Sequence, residues 1–191
     1  MDNYKIVRAG FREFAMDGDT AVYTRKVGTE KWEPYESQPQ PAAGTSPLLL
    51  GIVRHDQADR EPLHWSLFLA EEGKPGKVYQ VTGDCTFMVY AHGDDINELD
   101  ADGFHDFHQI AELDDESKAK RVEYWANNEP PPRAESQAHV KENCQGWSIR
   151  VVRRLIAEGI VHEKWDEALQ RLVDIYDMTR GLQPTEPQDG K

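Results

Sequence analysis

Between Leu48 and Leu113 the apolar residues of this chain come in short runs, and beyond Asp114 they recur every third or fourth position. That change of period constrains the fold more than any other feature. Leu48-Leu49-Leu50-Gly51-Ile52-Val53 is a continuous apolar run of the kind a buried strand shows. His64 to Ala70, Lys77 to Thr82 and Thr86 to Ala91 predict three more strands, and Phe107 to Leu113 a fifth. Gly73-Lys74-Pro75-Gly76 and Gly83-Asp84 supply turns between them. Strands this closely spaced predict an antiparallel meander.

The helical part begins with acids at a helix N-terminus, Asp114-Asp115-Glu116. Ser117 to Asn127 then carries Ala119, Val122 and Trp125 on one face, and Pro130, Pro131 and Pro132 stop it. A second helix is predicted over 144–158, with Trp147, Val151, Leu155 and Ile156 inward and Gly159 at its end. A third, over 163–179, carries Trp165, Leu169, Leu172, Val173 and Tyr176. Strands first and helices after predict an α+β fold. Its antiparallel sheet should hold about four to six strands, with the helices packed on one face.

Ahead of this core, residues 1–36 alternate apolar and polar in short patches around Asp17-Gly18-Asp19, which predicts a hairpin or an extended lead-in strand. Residues 37–47 are rich in Pro and small residues and read as a linker. The expected organisation is an extension with linker over 1–47, a core domain over 48–182 and a disordered tail over 183–191.

Composition narrows the function. Hydrophobic residues make up 38% of the 191 and mean hydropathy is −0.75. No apolar run approaches the roughly 18 residues of a spanning helix, so an integral membrane protein is not expected. The N-terminus lacks an apolar signal region, so a cytoplasmic location is expected. The 35 acidic against 22 basic residues give a net charge of −13. That repels phosphate backbones and argues against nucleic-acid partners, with solubility as the simplest account of the acidity.

Metal and cofactor sites are not expected either. Two cysteines, Cys85 and Cys144, make neither a disulfide framework nor a four-cysteine zinc site. His105 and His108, with Asp102 and Asp106, have a spacing that fits no zinc motif and read as a solvated polar loop. Glu98-Leu-Asp100-Ala-Asp102-Gly103 resembles half a calcium loop, but Glu98 opens it and Gln109 stands at its twelfth position, so it reads as an acidic turn. Arg150, Arg153 and Arg154 read as one solvated helix face, with Glu158 as a pairing candidate.

Two residues stand apart. Cys144 opens the second helix in Glu-Asn-Cys-Gln-Gly-Trp, and His64 opens a core strand, His-Trp-Ser-Leu-Phe-Leu. A thiol nucleophile needs a positive helix end to favour S⁻ and an imidazole to take its proton. A buried cysteine acting as a small hydrophobe is the bland alternative. His64-Trp65 on a strand, Gly76-Lys77-Val78-Tyr79-Gln80-Val81 on the next, and Asn143-Cys144-Gln145-Gly146-Trp147 at a helix start, in that order, resemble the permuted papain-like thiol enzymes. Within the NlpC/P60 superfamily the similarity is to the lecithin:retinol acyltransferase group and to small fungal proteins with the same His-Trp and Asn-Cys-Gln motifs. It covers roughly residues 48–160.

The resemblance implies a permuted papain-like fold, Cys144 as nucleophile and His64 as base. It implies Gln80 at a third position that in the family is usually histidine. Glutamine accepts an imidazole N–H but carries no charge. Two readings follow. One is a small cytosolic thiol hydrolase or acyltransferase, forming a Cys acyl-enzyme with an amide, thioester or ester of a small molecule or peptide. The other is a papain-like binding module that keeps the cleft without the chemistry. A third class, a partner protein using the helix over 163–179, needs neither.

Overall fold

The computed structural model describes residues 4–9, 12–35, 47–58 and 61–173. Most of the 37–47 linker, the last part of the helix expected over 163–179 and the tail over 183–191 lie outside them. Among the described residues the fold is α+β, with two antiparallel sheets and three α-helices.

The first sheet holds β1 (Lys5–Ala9), β2 (Arg12–Asp17), β3 (Thr20–Lys26) and β4 (Glu33–Pro34), in that order. The lead-in is thus more than a hairpin. The second sheet has the order β8-β7-β6-β5-β9, built from β5 (Leu48–His55), β6 (His64–Glu71), β7 (Gly76–Thr82), β8 (Val89–Ile96) and β9 (Phe104–Leu113). Four strands form the expected meander. The fifth returns to the opposite edge and pairs with β5, so residues 97–103 cross beneath the sheet.

Alternation divides this sheet between two cores. Leu50, Ile52, Trp65, Leu67, Leu69, Tyr79 and Val81 face the helices. Leu49, Val53, Phe68, Ala70 and Val78 face the other way, where Leu99 of the crossing segment and Val27, in the turn after β3, cover them. Arg8 donates to the Leu99 carbonyl at 2.6 Å and Lys26 to Gln109 Oε1 at 3.1 Å, tying the first sheet to this face. Gly28 allows the close approach: its φ is +79°, and a Cβ there would sit 2.3 Å from the Phe107 carbonyl oxygen.

The predicted fourth strand begins at Val89 instead of Thr86, for a local reason. Asp84 Oδ1 accepts the Thr86 N–H at 2.8 Å and its hydroxyl at 2.6 Å, which closes a turn that strand geometry cannot contain. Phe87 bridges to Arg133 and Met88 N–H donates to Pro132, so these residues pair with the segment after the first helix.

α1 (Glu116–Asn128), α2 (Cys144–Ala157) and α3 (Lys164–Leu172) pack on the first core face. Asp115 caps α1 by accepting the Lys118 N–H, and Asn143 caps α2. Gly159, at φ +70°, ends α2. α2 buries Trp147, Val151 and Leu155 fully, and α3 buries Leu169. No helix among the described residues is long and apolar enough to cross a membrane.

Candidate active site

The hydrogen-bond ladder between β6 and β7 joins Leu67–Leu69 to Lys77–Tyr79 and stops there. Beyond it lie His64 at the head of β6 and Gln80 on β7. His64 Nε2 is 2.6 Å from Gln80 Oε1. The amide oxygen accepts, so Nε2 carries the proton and Nδ1 keeps its lone pair.

α2 brings the third residue. Asn143 Oδ1 accepts the Gln145 N–H at 2.9 Å, and the buried Gln145 side chain donates to the Leu63 carbonyl at 2.8 Å. The second bond pins the start of α2 to the residue preceding His64. Cys144, in the first turn, is 3% exposed. Backbone N–H groups of Trp65, Gln145 and Cys144 itself act on its sulfur, which places it beside the residue that follows His64. A cavity of about 730 Å³ is lined by His64, Gln80 and Cys144 together with Pro62, Cys85 and Met88. Gln145 has no role among the sequence-based expectations; its position beside Cys144 in the helix cap is the available signal.

The protonation state differs from the expectation of a thiolate. Burial pushes the Cys144 thiol up to about 11, although the three backbone N–H groups pull the other way. Burial also pushes His64 below the usual histidine value, against the Gln80 bond that raises it. Both shifts favour neutral forms, so the resting pair is thiol and imidazole. Desolvation outweighs the partial charge of the helix end, which is worth on the order of 1 kcal/mol. Alkylation of Cys144 by iodoacetamide should therefore keep accelerating from neutral pH toward about 11. A rate plateau below pH 8, measured by peptide mass spectrometry, would reveal a resting ion pair and overturn this assignment.

A second polar group lies next to the first. His55 is the β5 partner of His64 in the strand register. Glu98, in a short 3₁₀ turn (Glu98–Asp100) of the crossing segment, is buried; its Oε1 accepts the Ser66 hydroxyl at 2.8 Å and lies 3.0 Å from His55 Nε2. Burial raises the Glu98 carboxyl, but the His55 and Ser66 bonds outweigh it and hold the group below the usual carboxylate range. The sequence reading saw only an acidic turn here.

Other expectations need correction. His105, Asp106 and His108 lie on β9, not in a solvated loop. Arg54 grips Asp106 with a fork, Nε to Oδ1 at 2.7 Å and the second nitrogen on Oδ2, which together with His108 holds that carboxyl far down despite burial. Among the described residues no cluster of His, Cys, Asp and Glu is arranged to hold a metal ion. Arg153 and Arg154 are exposed, as a solvated face requires, but all three helix arginines pair, and not with Glu158. Arg150 and Arg154 converge on the buried Glu129, and Arg153 pairs with Asp166. Glu158 instead takes Arg121 at 2.8 Å and the Trp125 indole.

A family model described as a family of unknown function (DUF6540) matches residues 50–162, a span that contains His64, Gln80, Glu98 and Cys144. Comparison with curated proteins and with solved structures finds no match.

Proposed function

We propose that this chain, which belongs to the DUF6540 family, is a small cytoplasmic thiol-dependent hydrolase or acyltransferase of the permuted papain-like kind. Its substrate is an amide, thioester or ester of a small molecule or peptide. One arrangement supports the reading: a 2.6 Å His64–Gln80 bond in the same cavity as a cysteine at a helix start.

The chemistry starts from the neutral pair. As the sulfur attacks the acyl carbon, its proton passes to His64 Nδ1, and Gln80 holds the ring through Nε2–H. The Cys144 N–H, in the first turn of α2, turns from the sulfur to the developing oxyanion as the S–C bond forms. The imidazolium then protonates the leaving group, and an acyl thioester remains on Cys144. Water, or an acceptor nucleophile, gives up a proton to His64 and attacks the thioester; the C–S bond breaks, and the imidazolium returns the proton to the departing Cys144 sulfur.

One observation favours the binding-module reading. A thiol raised to about 11 beside a base that is itself weakened is a poor resting nucleophile. Trapping separates the two. Activated esters and thioesters incubated with the chain should leave an acyl mass on the Cys144 peptide. Cys144→Ala should lose it, and Gln80→Ala should slow it about tenfold or more. An adduct formed by Gln80→His but not by the wild type would establish a cleft that has lost its chemistry.

A further inference from the structure

His64 sits in a ring of polar side chains. Across the strand pair stands His55, two residues along β6 stands Ser66, and on β7 stands Gln80. Glu98 reaches under the sheet from the segment joining β8 to β9 and bonds two of these three, Ser66 at 2.8 Å and His55 at 3.0 Å. Both contacts fall on one oxygen, Oε1. We propose that Glu98 is a positioning residue for His64: its carboxylate, anchored by Ser66 and His55, supplies the negative charge that the neutral Gln80 lacks. The proposal rests on the reading of His64 as the base for Cys144.

The need for such a charge follows from the reaction. When the thiol proton reaches Nδ1, an imidazolium forms in a buried setting. Gln80 orients that cation but cannot neutralise it. A carboxylate buried nearby acts through a low dielectric, where its effect is far larger than in water. His64 and Glu98 each feel the other's charge in the direction this requires. The opposing influence is His55, whose cation would disfavour a second one on His64. Glu98 lies against His55 and offsets part of that influence. The other titratable groups around His64 are Cys144 from α2 and, across the cavity, Glu61, Asp84 and Cys85. Asp84 is committed to Thr86 and Gln137.

The test reads His64 directly, by imidazole ¹⁵N titration of the full chain. Glu98→Gln keeps an oxygen for the Ser66 hydroxyl and removes the charge. The imidazolium loses its partner, so the His64 midpoint should fall by about one unit, a tenfold smaller cation fraction at a given pH. Glu98→Asp should retain most of the midpoint, and Glu61→Gln should leave it in place. An unchanged His64 midpoint in a destabilised Glu98→Gln chain would make Glu98 a mere strut of the crossing segment and overturn the proposal. The wild type supplies the same test if that variant fails to fold: the Glu98 Cδ resonance must move at the His64 midpoint, and a resonance that follows His55 alone overturns the proposal. These readouts do not require turnover. A coupled His64 and Glu98 in a chain that never forms an acyl adduct would sink the thiol-enzyme reading and leave this coupling standing.

Discussion

His64→Ala should slow acyl transfer to Cys144 by about 10²- to 10⁴-fold, the usual worth of a positioned general base. The loss should sit toward the upper end, because this thiol gets little help from its own acidity. With the Cys144 value near 11, roughly one sulfur in ten thousand is ionised at pH 7 without a base to take the proton. The sign of the pH dependence follows. In the variant the rate should track the thiolate fraction and climb tenfold per pH unit until about 11. In the wild type it should level off once the weakened His64 is neutral. The fold should survive, since the substitution removes one partly buried hydrogen bond, worth about 1 kcal/mol. Release of a chromophoric leaving group, followed against pH, measures both effects. A variant within threefold of wild type at pH 7 would remove His64 from the mechanism.

Whether a feature was legible in the sequence depended on whether its cause was local. Leu48 to Val53 and Trp65 to Ala70 are nearly unbroken apolar runs because both faces of the sheet are buried, and such runs are visible in the letters. Asp115 and Asn143 cap helices by bonding N–H groups two or three residues on, which is also local. His64 and Cys144 could be singled out for the same reason, each by its place on one element, whereas Gln80 is picked out only by the family resemblance.

What was missed depends on chain segments far apart. β9 pairs with β5 across a long stretch of chain, from His55–Phe104 to Leu48–Leu113, and no period in the sequence announces which edge a strand takes. Glu98 sits among Asp94, Asp95, Asp100 and Asp102 and looks like another solvated acid. It is buried because residues 97–103 cross beneath the sheet and Leu99 packs against Val53 and Phe68. The thiol's protonation is of this kind too. The helix end that should favour S⁻ is local, while the desolvation that outweighs it comes from the strands and α2 closing around Cys144. The pairing of Arg150 and Arg154 with Glu129 likewise needed the Pro-rich segment to fold back on α2.

Trp147→Ala should cost about 3–5 kcal/mol of folding stability, the largest single loss expected from the residues around the site. Trp147 is fully buried, one turn beyond Cys144 on α2, where its ring lies 6.2 Å from that of Tyr90. Its indole N–H donates to the Glu129 carbonyl at 3.0 Å. Truncation removes the ring from a packed core and leaves a buried carbonyl without that donor, so the cavity and the unmet acceptor act together. Trp147→Phe keeps most of the volume and loses the donor, and should cost about 1–3 kcal/mol. The two variants divide the effect between packing and hydrogen bonding, and the milder one remains measurable if the other fails to fold. The consequence reaches the chemistry, because the side chain that sets the rotation of α2 also sets where the sulfur points. Loosening α2 should relieve the burial that holds the Cys144 thiol up, bring its value down from about 11, and speed its alkylation at neutral pH even as the fold weakens. Urea denaturation measures the first effect and peptide mass spectrometry the second. A cost below about 1 kcal/mol for Trp147→Ala would mean that α2 is held by other contacts, and that Trp147 does not fix the nucleophile.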